Sequence, residues 1–498
     1  MSMKTLLKNG VVIVHDADDN ARGVKSDVLI DGDRIAQIAP DITPSTGADV
    51  IDCSDKIIAP GFIDTHRHMY NTALRGMHGN DLLHDYLVKG ILQGGTFKPR
   101  DIFWGQLASS LECINSGTTT VVDHSHLNYG EDHPKAAIAA TVASGLRSVY
   151  GYCFTVRVDS WSPFALNQSF IAPFALDALK DLAASAPFGN GRVTLGVAFD
   201  GWFLPHDMLK SLFDDIRGLG IRHITTHNGA SPPGRPTSIE TMHACGVLSP
   251  KSSVILSHAN FLSENDVKFV KENGAYLSST PSVELQMGMG VPVCFDADRD
   301  VQSCSALGVD CHNVVLASIV GEMRAALVNS RAVYNGKFQA VGKMAAKLNH
   351  TVQEAYALGT IHGARAVGME KDIGSLEVGK KADIIVFDAV SPSMICGAQL
   401  DPITAIVMHS TPGDIVMTFV DGILRKIDGK ILPVQVSTED GKFAGVDAAT
   451  LSWADVGNNL LQTQNSLKDK IKEINPEVAK KEAMAAFGMD PSKITPEI

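Results

Sequence analysis

Between about residue 60 and residue 374, short apolar runs alternate with longer stretches of helical character. The run TTTVVDHSH follows IFWGQLASSLECINSG, and HITTHNGA follows HDMLKSLFDDIRGLG. Strands that alternate with helices along a chain form βα units, whose strands lie parallel in one sheet. The segment is about 310 residues long, which suits eight such units closed into a barrel. The sequence therefore predicts an α/β fold in which residues 60–374 form a (β/α)8 TIM barrel.

The segments on either side of the barrel have the alternating pattern of antiparallel strands. Residues 1–59 contain LLKNGVVIV and SDVLIDGDRIAQIA, with Asn9-Gly10 and Asp31-Gly32 as hairpin signals. Residues 375–435 return to this pattern in GSLEVGKKADIIVFD and DIVMTFVDGILRKIDGKI. We therefore expect the two segments to form one small β-sandwich domain built from both chain ends. Residues 436–498 are expected to form a helical C-terminal extension.

Composition and charge exclude several classes of partner. The 498 residues carry a net charge of −12, so nucleic acid and anionic membrane surfaces would repel the chain. The sequence has no apolar run of the roughly eighteen residues that a spanning helix needs, and its N-terminus lacks the apolar core of a signal peptide. Eight cysteines lie at irregular spacings without a C-x-x-C pair, which favours free thiols in a reducing compartment. We expect a cytoplasmic enzyme with a small-molecule substrate.

The segment PGFIDTHRH carries two histidines one residue apart at the end of an apolar run. Because residues i and i+2 of a strand point to the same face, His66 and His68 point together and Arg67 points away. If this run is the first barrel strand, both imidazoles face the interior near its C-terminal end, where barrel active sites are built. Two imidazoles side by side are half of a zinc site, although H-x-H is also compatible with an incidental polar pair.

Three further ligand-type side chains stand at the ends of later strand-like runs. His227 ends HITTH, His258 ends VILSH and Asp310 ends ALGVD. Since the carboxyl ends of barrel strands meet at one face, these side chains are expected to converge with His66 and His68. Three of these four imidazoles, together with the carboxylate, would bind one divalent ion and leave a position for water. Zn²⁺ is the default ion, and Fe²⁺ suits the same ligands.

Other polar residues have both a functional and a structural interpretation. His124 and His126 end the run TTTVVDHSH; we assign substrate binding to His126, with a structural histidine as the alternative. Glu284, in the Gly- and Met-rich stretch SVELQMGMG, is also assigned to substrate binding, with a solvated loop carboxylate as the alternative. Asp64 lies on the same face as His66 but deeper, where a buried carboxylate is expected to orient a ligand histidine.

GFIDTHRH, the strand-end His227 and His258, and the strand-end Asp310 resemble the amidohydrolase superfamily. The sequence is most similar to the branch that holds triazine hydrolases, cytosine and adenosine deaminases and phenylurea hydrolases, over nearly the whole chain. This resemblance implies that His66, His68, His227 and Asp310 bind the metal. It implies that His258 contacts the metal or polarises the substrate. Barrel enzymes of this kind often pair through their barrel faces, so the resemblance also suggests a homo-oligomer.

The sequence departs from the pattern of this branch at two points. Binuclear members carry a carbamylated lysine on the fourth strand, whereas the corresponding run GRVTLGVAFDGWF has no lysine, which predicts a single metal ion. Deaminases of the branch carry H-x-x-E after the fifth strand, whereas the motif here is His227-Asn228-Gly229-Ala230. The segment STPSVELQMGMG also looks more like that of hydrolases of amides, carbamates or phenylureas.

These features predict a metal-dependent hydrolase that cleaves a non-peptide carbon–nitrogen bond of the amide, carbamate or urea type. We assign catalysis to Asp310, which accepts a proton from the attacking water and passes it to the leaving nitrogen. His258 polarises the substrate and stabilises the tetrahedral intermediate. The alternative is an aminohydrolase that releases ammonia from a heteroaromatic or amidine carbon at the same site. A non-catalytic scaffold is disfavoured because all four ligand positions are present.

Overall fold

The computed structural model describes residues 4–44, 46–229, 236–437, 443–472, 474–486, 489, 492 and 494–495. The strands within these ranges form two large sheets and two small two-stranded sheets. In chain order the strands are β1 (Lys4–His15), β2 (Ala21–Asp31), β3 (Arg34–Ala39), β4 (Asp49–Asp52), β5 (Lys56–Pro60), β6 (Phe62–Arg67), β7 (Thr118–Ser125), β8 (Arg147–Cys153), β9 (Val158–Trp161), β10 (Phe164–Leu166), β11 (Val193–Ala198), β12 (His223–Asn228), β13 (Ser253–His258), β14 (Tyr276–Ser279), β15 (Ser305–Leu307), β16 (Ile384–Asp388), β17 (Ile415–Val420), β18 (Ile423–Ile427), β19 (Lys430–Ile431), β20 (Val434–Val436) and β21 (Ala449–Leu451).

The α-helices lie mainly between the strands of the middle segment and at the C-terminus. In chain order they are α1 (Leu83–Tyr86), α2 (Pro99–Asn115), α3 (Asp132–Ser144), α4 (Ala175–Ser185), α5 (His206–Gly218), α6 (Ser238–Ala244), α7 (Glu264–Asn273), α8 (Pro281–Gln286), α9 (Ile319–Gln339), α10 (Val352–Leu358), α11 (Ile361–Ala366), α12 (Ile395–Leu400), α13 (Pro402–Thr404), α14 (Trp453–Ile471) and α15 (Pro476–Ala486). None of the helices in the described ranges combines the length and the apolar character that crossing a bilayer requires.

The middle of the chain is a parallel barrel, as predicted. Strands β6, β7, β8, β11, β12, β13, β14 and β15 pair in that order. All eight residues of β7 are buried, as expected for a strand covered by helices on one face and by the barrel interior on the other. The barrel closes just beyond β15, where the Asp310 amide donates to the His66 carbonyl at 2.8 Å. A parallel bridge between Arg67 and Asp310 lies at the same point.

Strands from both chain ends form the second large sheet. Its order is β19-β18-β17-β16-β5-β1-β2-β3, with β4 paired to β1. Strand β16, from the C-terminal side of the barrel, pairs antiparallel with β5 from the N-terminal side. An apolar cluster separate from the barrel interior lies between the strands of both ends and includes Leu7, Val28, Ile58, Val386 and Phe419. The two chain ends therefore share one sheet and one core, as predicted.

One of the two predicted hairpin turns in this sheet is wrong. Asp31-Gly32 does join β2 to β3, but Asn9-Gly10 lies inside β1, which continues to His15. The pairing of β1 with β2 shifts register between Leu7 and Gly10, and Asn9 has φ 66°. Asn tolerates this left-handed conformation, so the same residue pair that would suit a turn forms a β-bulge here.

A buried ion cluster fixes this sheet against the N-terminal end of a barrel strand. Arg147, the first residue of β8, donates from Nε to Asp383 at 3.0 Å and from Nη2 to Asp421 at 2.6 Å. Asp383 precedes β16 and Asp421 follows β17. Because this contact occupies the N-terminal end of β8, the opposite end of the strand is left for the loops that build a site.

The C-terminal extension lies along the other end of the barrel. Helix α14 packs on α2, and α15 packs on the loops that follow β6 and β8. Ala479 and Ala483 of α15 share a small apolar cluster with Val88, Leu92 and Phe164. The short strand β21 precedes α14 and pairs with β20, so the extension is not helical throughout.

Candidate active site

Four side chains with metal-ligand atoms meet at the C-terminal ends of three barrel strands. His66 lies in β6, His68 directly follows that strand, His227 lies in β12, and Asp310 follows β15. One ligand atom of each residue lies within 4.8 Å of those of the other three. Nε2 of His68 is 3.0 Å from Oδ1 of Asp310, and Nε2 of His66 is 3.4 Å from the same oxygen. The sequence-predicted ligand set is thus brought together in space.

The protonation states of His66 and Asp310, and a ring nitrogen without a hydrogen-bond partner, suit a divalent cation. Burial lowers the pKa of His66 well below its ordinary value, so its imidazole is neutral. Burial would raise the pKa of Asp310, but the neighbouring imidazoles of His66 and His68 lower it well below its ordinary value, so the carboxyl is ionised. Nε2 of His66 is buried without a hydrogen-bond partner. A neutral imidazole and an ionised carboxylate are the forms in which these side chains bind Zn²⁺ or another first-row ion.

Hydrogen bonds to the far ring nitrogens fix the first two imidazoles. Nδ1 of His66 lies 2.7 Å from the hydroxyl of Ser257 on β13, and Nδ1 of His68 lies 2.7 Å from the carbonyl of His124 on β7. Such partners hold the ring in one orientation and leave Nε2 for the ion. Sequence reasoning did not identify Ser257, because a serine next to a strand-end histidine carries no distinctive signal.

Asp200 holds the third imidazole, and the sequence analysis missed it. Its carboxylate lies 2.9 Å from Nδ1 of His227 and accepts the His227 amide at 2.8 Å. Burial would raise the pKa of Asp200, but the charges of His227 and His124 lower it well below its ordinary value. In return, Asp200 raises the pKa of His227 against the opposing effect of burial. A signal was available, since Asp200 stands two residues after the end of the fourth barrel strand, in the run VAFDGW.

Asp64 contacts a histidine of the predicted ligand set through the backbone rather than through its ring. Its carboxylate accepts the amides of Val309 at 3.0 Å and His66 at 3.3 Å, which joins β6 to the segment after β15. Burial raises the pKa of Asp64 to about 6 against the opposing charge of Arg67. Arg67 points away from the ligand set, as predicted, and donates to Glu112 of α2 at 3.1 Å.

His258 lies beside the ligand set and is supported from behind. Its Nε2 is 3.9 Å from Oδ2 of Asp310, and its Nδ1 is 3.0 Å from the hydroxyl of Thr280. Glu284 approaches Nδ1 of His258 to 3.5 Å and accepts the Thr280 amide at 2.8 Å. Glu284 is fully buried in helix α8, so it is not a solvated loop carboxylate. A role for Glu284 in binding substrate stays a prediction.

Two of these strand ends have backbone conformations that non-glycine residues seldom adopt. His258 has φ 72° and Asp310 has φ 61°. Residues in the left-handed region cost of the order of 1–3 kcal/mol each and persist where the surrounding structure imposes them. The amide of Ala259, itself at φ 56°, donates to the Asn228 carbonyl at 3.1 Å, and the Asp310 amide is held by His66. These bonds fix both side chains toward the barrel interior.

His124 and His126 form a second group of imidazoles around His227. One ring nitrogen of each lies within 4.8 Å of those of the other two. Burial lowers the pKa of His124 to about 3 and that of His126 well below its ordinary value. The ring of His126 lies 4.3 Å from that of His68. His126 therefore borders the ligand set, and its role in binding substrate stays a prediction.

The lysines between strands β7 and β12 lie outside the site. Lys135, Lys180 and Lys210 are on helices α3, α4 and α5, and β11 contains no lysine. A carbamylated lysine on the fourth strand is thus excluded, which supports the expectation of one metal ion. The position of the absent deaminase glutamate, Ala230, is outside the described residues.

A family model described as the amidohydrolase family matches residues 57–425, which is most of the chain and includes every residue of the ligand set. The chain belongs to the amidohydrolase family. This confirms the resemblance drawn from the strand-end residues, and it confirms that the chain is an amidohydrolase-type enzyme acting on carbon–nitrogen bonds other than peptide bonds.

This amidohydrolase is similar in sequence to a deaminase and in fold to solved structures of a deaminase and a chlorohydrolase. A 5'-deoxyadenosine deaminase of Methanobrevibacter smithii is 29% identical over 447 residues, which are 87% of this chain and 93% of that protein. The crystal structure of an adenosine deaminase from Xanthomonas campestris with bound zinc has a TM-score of 0.74 at 18% identity, covering 94% of this chain and 99% of that one. An atrazine chlorohydrolase from Arthrobacter aurescens TC1 complexed with zinc has a TM-score of 0.72 at 18% identity, covering 93% and 100%. These two structures share the fold of this chain.

Proposed function

We propose that this amidohydrolase is a metal-dependent aminohydrolase that releases ammonia from an amino-substituted nitrogen heterocycle. The observation that carries the proposal is the similarity, over 87% of the chain, to a deaminase of a purine nucleoside. It favours the alternative of the sequence analysis over its main hypothesis of an amide, carbamate or urea substrate. The geometry of the strand-end set is compatible with both reactions, since each begins with attack of water on a carbon bonded to nitrogen.

In this proposal His66, His68, His227 and Asp310 hold one divalent ion, with Zn²⁺ as the default and Fe²⁺ as the second choice. When bound, such an ion lowers the pKa of a coordinated water from 15.7 toward about 7, which makes hydroxide available at neutral pH. Asp310 accepts the proton of the attacking water, because its carboxyl is held ionised by the two neighbouring imidazoles. Asp310 then passes that proton to the leaving nitrogen.

His258 orients the attacking water or the substrate. The Thr280 hydroxyl lies 3.4 Å from the Glu284 carboxylate, to which it donates, so its oxygen can accept a hydrogen bond from the Nδ1–H of His258. This arrangement favours the proton on Nδ1 and leaves Nε2, 3.9 Å from Asp310, as an acceptor. His258 thus receives a hydrogen bond from water next to the carboxylate that takes up the proton.

A second candidate is hydrolysis of an amide, carbamate or urea, and the residue after His227-Asn228-Gly229 favours it. Deaminases of this branch carry a glutamate at that point, which protonates a ring nitrogen, whereas this chain has Ala230. Cleavage of an amide or urea needs no ring protonation, and Asp310 alone can supply the proton to the leaving nitrogen. In the deaminase, another group must act on the ring nitrogen, and His126, whose ring lies 4.3 Å from that of His68, is the residue that we assign to this part of the substrate.

The two reactions release different products, which allows a direct test. The zinc-loaded protein is incubated with 5'-deoxyadenosine, adenosine and an aminotriazine, and separately with an anilide, an aryl carbamate and a phenylurea. We expect ammonia from the first group, together with a product one mass unit heavier than the substrate. Asp310→Asn is the control, and we expect it to lose at least a thousandfold in kcat/KM. Release of an arylamine without ammonia would select the second candidate, and no turnover by protein holding one ion would contradict both.

A further inference from the structure

The end of β7 repeats the arrangement found at the end of β6. His124 and His126 are two residues apart, as His66 and His68 are, and their side chains enter the same space. Their rings are 4.8 Å apart, and the ring of His124 is 4.3 Å from that of His227. One ring nitrogen each of His124, His126 and His227 lies within 4.8 Å of the others. The mechanism proposed above uses neither His124 nor this grouping.

Three of the six ring nitrogens in this second group lack a hydrogen-bond partner. His124 is fully buried, and neither of its ring nitrogens makes a hydrogen bond; Nε2 of His126, which is 8% exposed, also makes none. The carboxylate of Asp200 is 3.3 Å from Nε2 of His124, without the alignment of a hydrogen bond. Buried polar atoms in native proteins are nearly always paired, so these imidazole nitrogens are available to a bound species. Three convergent imidazoles are a ligand set for Zn²⁺, Co²⁺, Ni²⁺ or Cu²⁺.

We propose that His124, His126 and His227 form a second seat for a divalent ion, alternative to the first. The two seats share His227, whose Nδ1 is engaged by Asp200, so its Nε2 can bind an ion in only one of them at a time. Both seats lie inside the barrel, since His66 and His124 are fully buried, and the shared His227 is partly exposed, with 26% of its side chain accessible.

The test uses Co²⁺ as the probe and measures binding rather than turnover. The variant His66→Gln/His68→Gln removes two ligands of the first seat and leaves the second complete. We expect it to bind about one Co²⁺ per chain by equilibrium dialysis with elemental analysis, at least tenfold more weakly than the unaltered protein. The visible absorption of its Co²⁺ should also differ, because the ligands are three imidazoles without a carboxylate. Adding His124→Ala/His126→Ala should abolish this binding, whereas adding His206→Ala/His223→Ala, which alters two histidines outside both seats, should leave it unchanged.

Two further variants test the second seat even if His66→Gln/His68→Gln fails to fold. His66→Gln/Asp310→Asn repeats the removal of the first seat with a different pair, and circular dichroism verifies each fold. His124→Ala/His126→Ala in the unaltered background should keep one Co²⁺ with an unchanged spectrum, because the first seat is intact. Folded first-seat variants that bind no Co²⁺ would overturn the proposal, as would binding that persists without His124 and His126. Neither result depends on the substrate, so the second seat and the proposed reaction can fail separately.

Discussion

At the scale of the residue, each imidazole of the proposed ligand set is oriented by one contact at Nδ1, which leaves Nε2 for the ion. For His66 the partner is the Ser257 hydroxyl, 2.7 Å from Nδ1. We expect Ser257→Ala to weaken zinc binding roughly 10- to 100-fold, as loss of such outer partners does in metal sites. Competition with a chromophoric chelator measures the affinity. Ser253→Ala is the matched control, because Ser253 opens the same strand and its hydroxyl binds the Ala366 carbonyl instead. Equal affinities in the two variants would contradict the role of Ser257.

Burial of His15 makes the stability of the protein fall in mild acid. Burial lowers the pKa of His15 to about 4, and its ring stacks on Tyr356 with centroids 6.0 Å apart. Between pH 6.5 and 4 the unfolded chain binds a proton there that the folded chain does not, so the free energy of unfolding decreases as pH falls through this window. His15→Phe keeps a stacked ring but has no group that binds this proton. Between pH 7 and 5 its free energy of unfolding should therefore fall by about 2 kcal/mol less than that of the unaltered protein. Urea unfolding at both pH values measures the difference. His206→Gln, at an exposed position, should lose as much stability between pH 7 and 5 as the unaltered protein does. The prediction would be refuted if His15→Phe lost that same amount.

The site residues that could be predicted differ from those that could not in whether a local sequence pattern marks them. His66, His68, His227 and Asp310 stand at strand ends, where an ionisable residue interrupts an apolar run, and the barrel brings such ends to one face. Asp200 also interrupts an apolar run near a strand end, but in the fourth strand the prediction considered lysine alone. Partners such as Ser257 and Thr280 depend on the register between neighbouring strands. Their small hydroxyls occur throughout the chain, so no local pattern distinguishes them.

At the scale of the element, the strands were predictable wherever periodicity or continuous apolar character was strong. The eight barrel strands are short buried runs between helices, and the sheet strands from both ends show alternation. The local signals failed where tertiary pairing decides: Asn9-Gly10 became a bulge because β1 continues along β2. Similarly, the Gly- and Met-rich segment around Glu284 contains helix α8, whose Pro281 at the first turn favours a helix start.

Helix α15 depends on its contact with the loops at the active-site end of the barrel. Ala479 is fully buried against this surface, whereas the adjacent Val478 is 53% exposed. Ala479→Asp places an unpaired charge at the contact, at a cost of roughly 3–5 kcal/mol, so we expect α15 to detach. Faster hydrogen exchange in residues 83–96 and 158–166 would report the loss of cover. Val478→Asp puts the same charge on the outer face and should leave exchange unchanged. If both variants exchange alike, α15 does not protect these loops.

At the scale of the whole molecule, a bound ion would join parts of the chain that are far apart in sequence. Its proposed ligands come from β6, β12 and the segment after β15, so the ion spans the barrel near the point where the barrel closes. A ligand that binds only the folded chain stabilises it by about 4 kcal/mol when its free concentration is 1,000 times Kd. Removal of the ion with a chelator should therefore lower Tm, and calorimetry of the same sample before and after chelation measures the shift. Zn²⁺ should restore Tm, whereas Mg²⁺, which prefers oxygen ligands in octahedral geometry, should not. A Tm that stays constant while the metal content falls from one ion per chain to none would show that the strand-end set does not hold the barrel together.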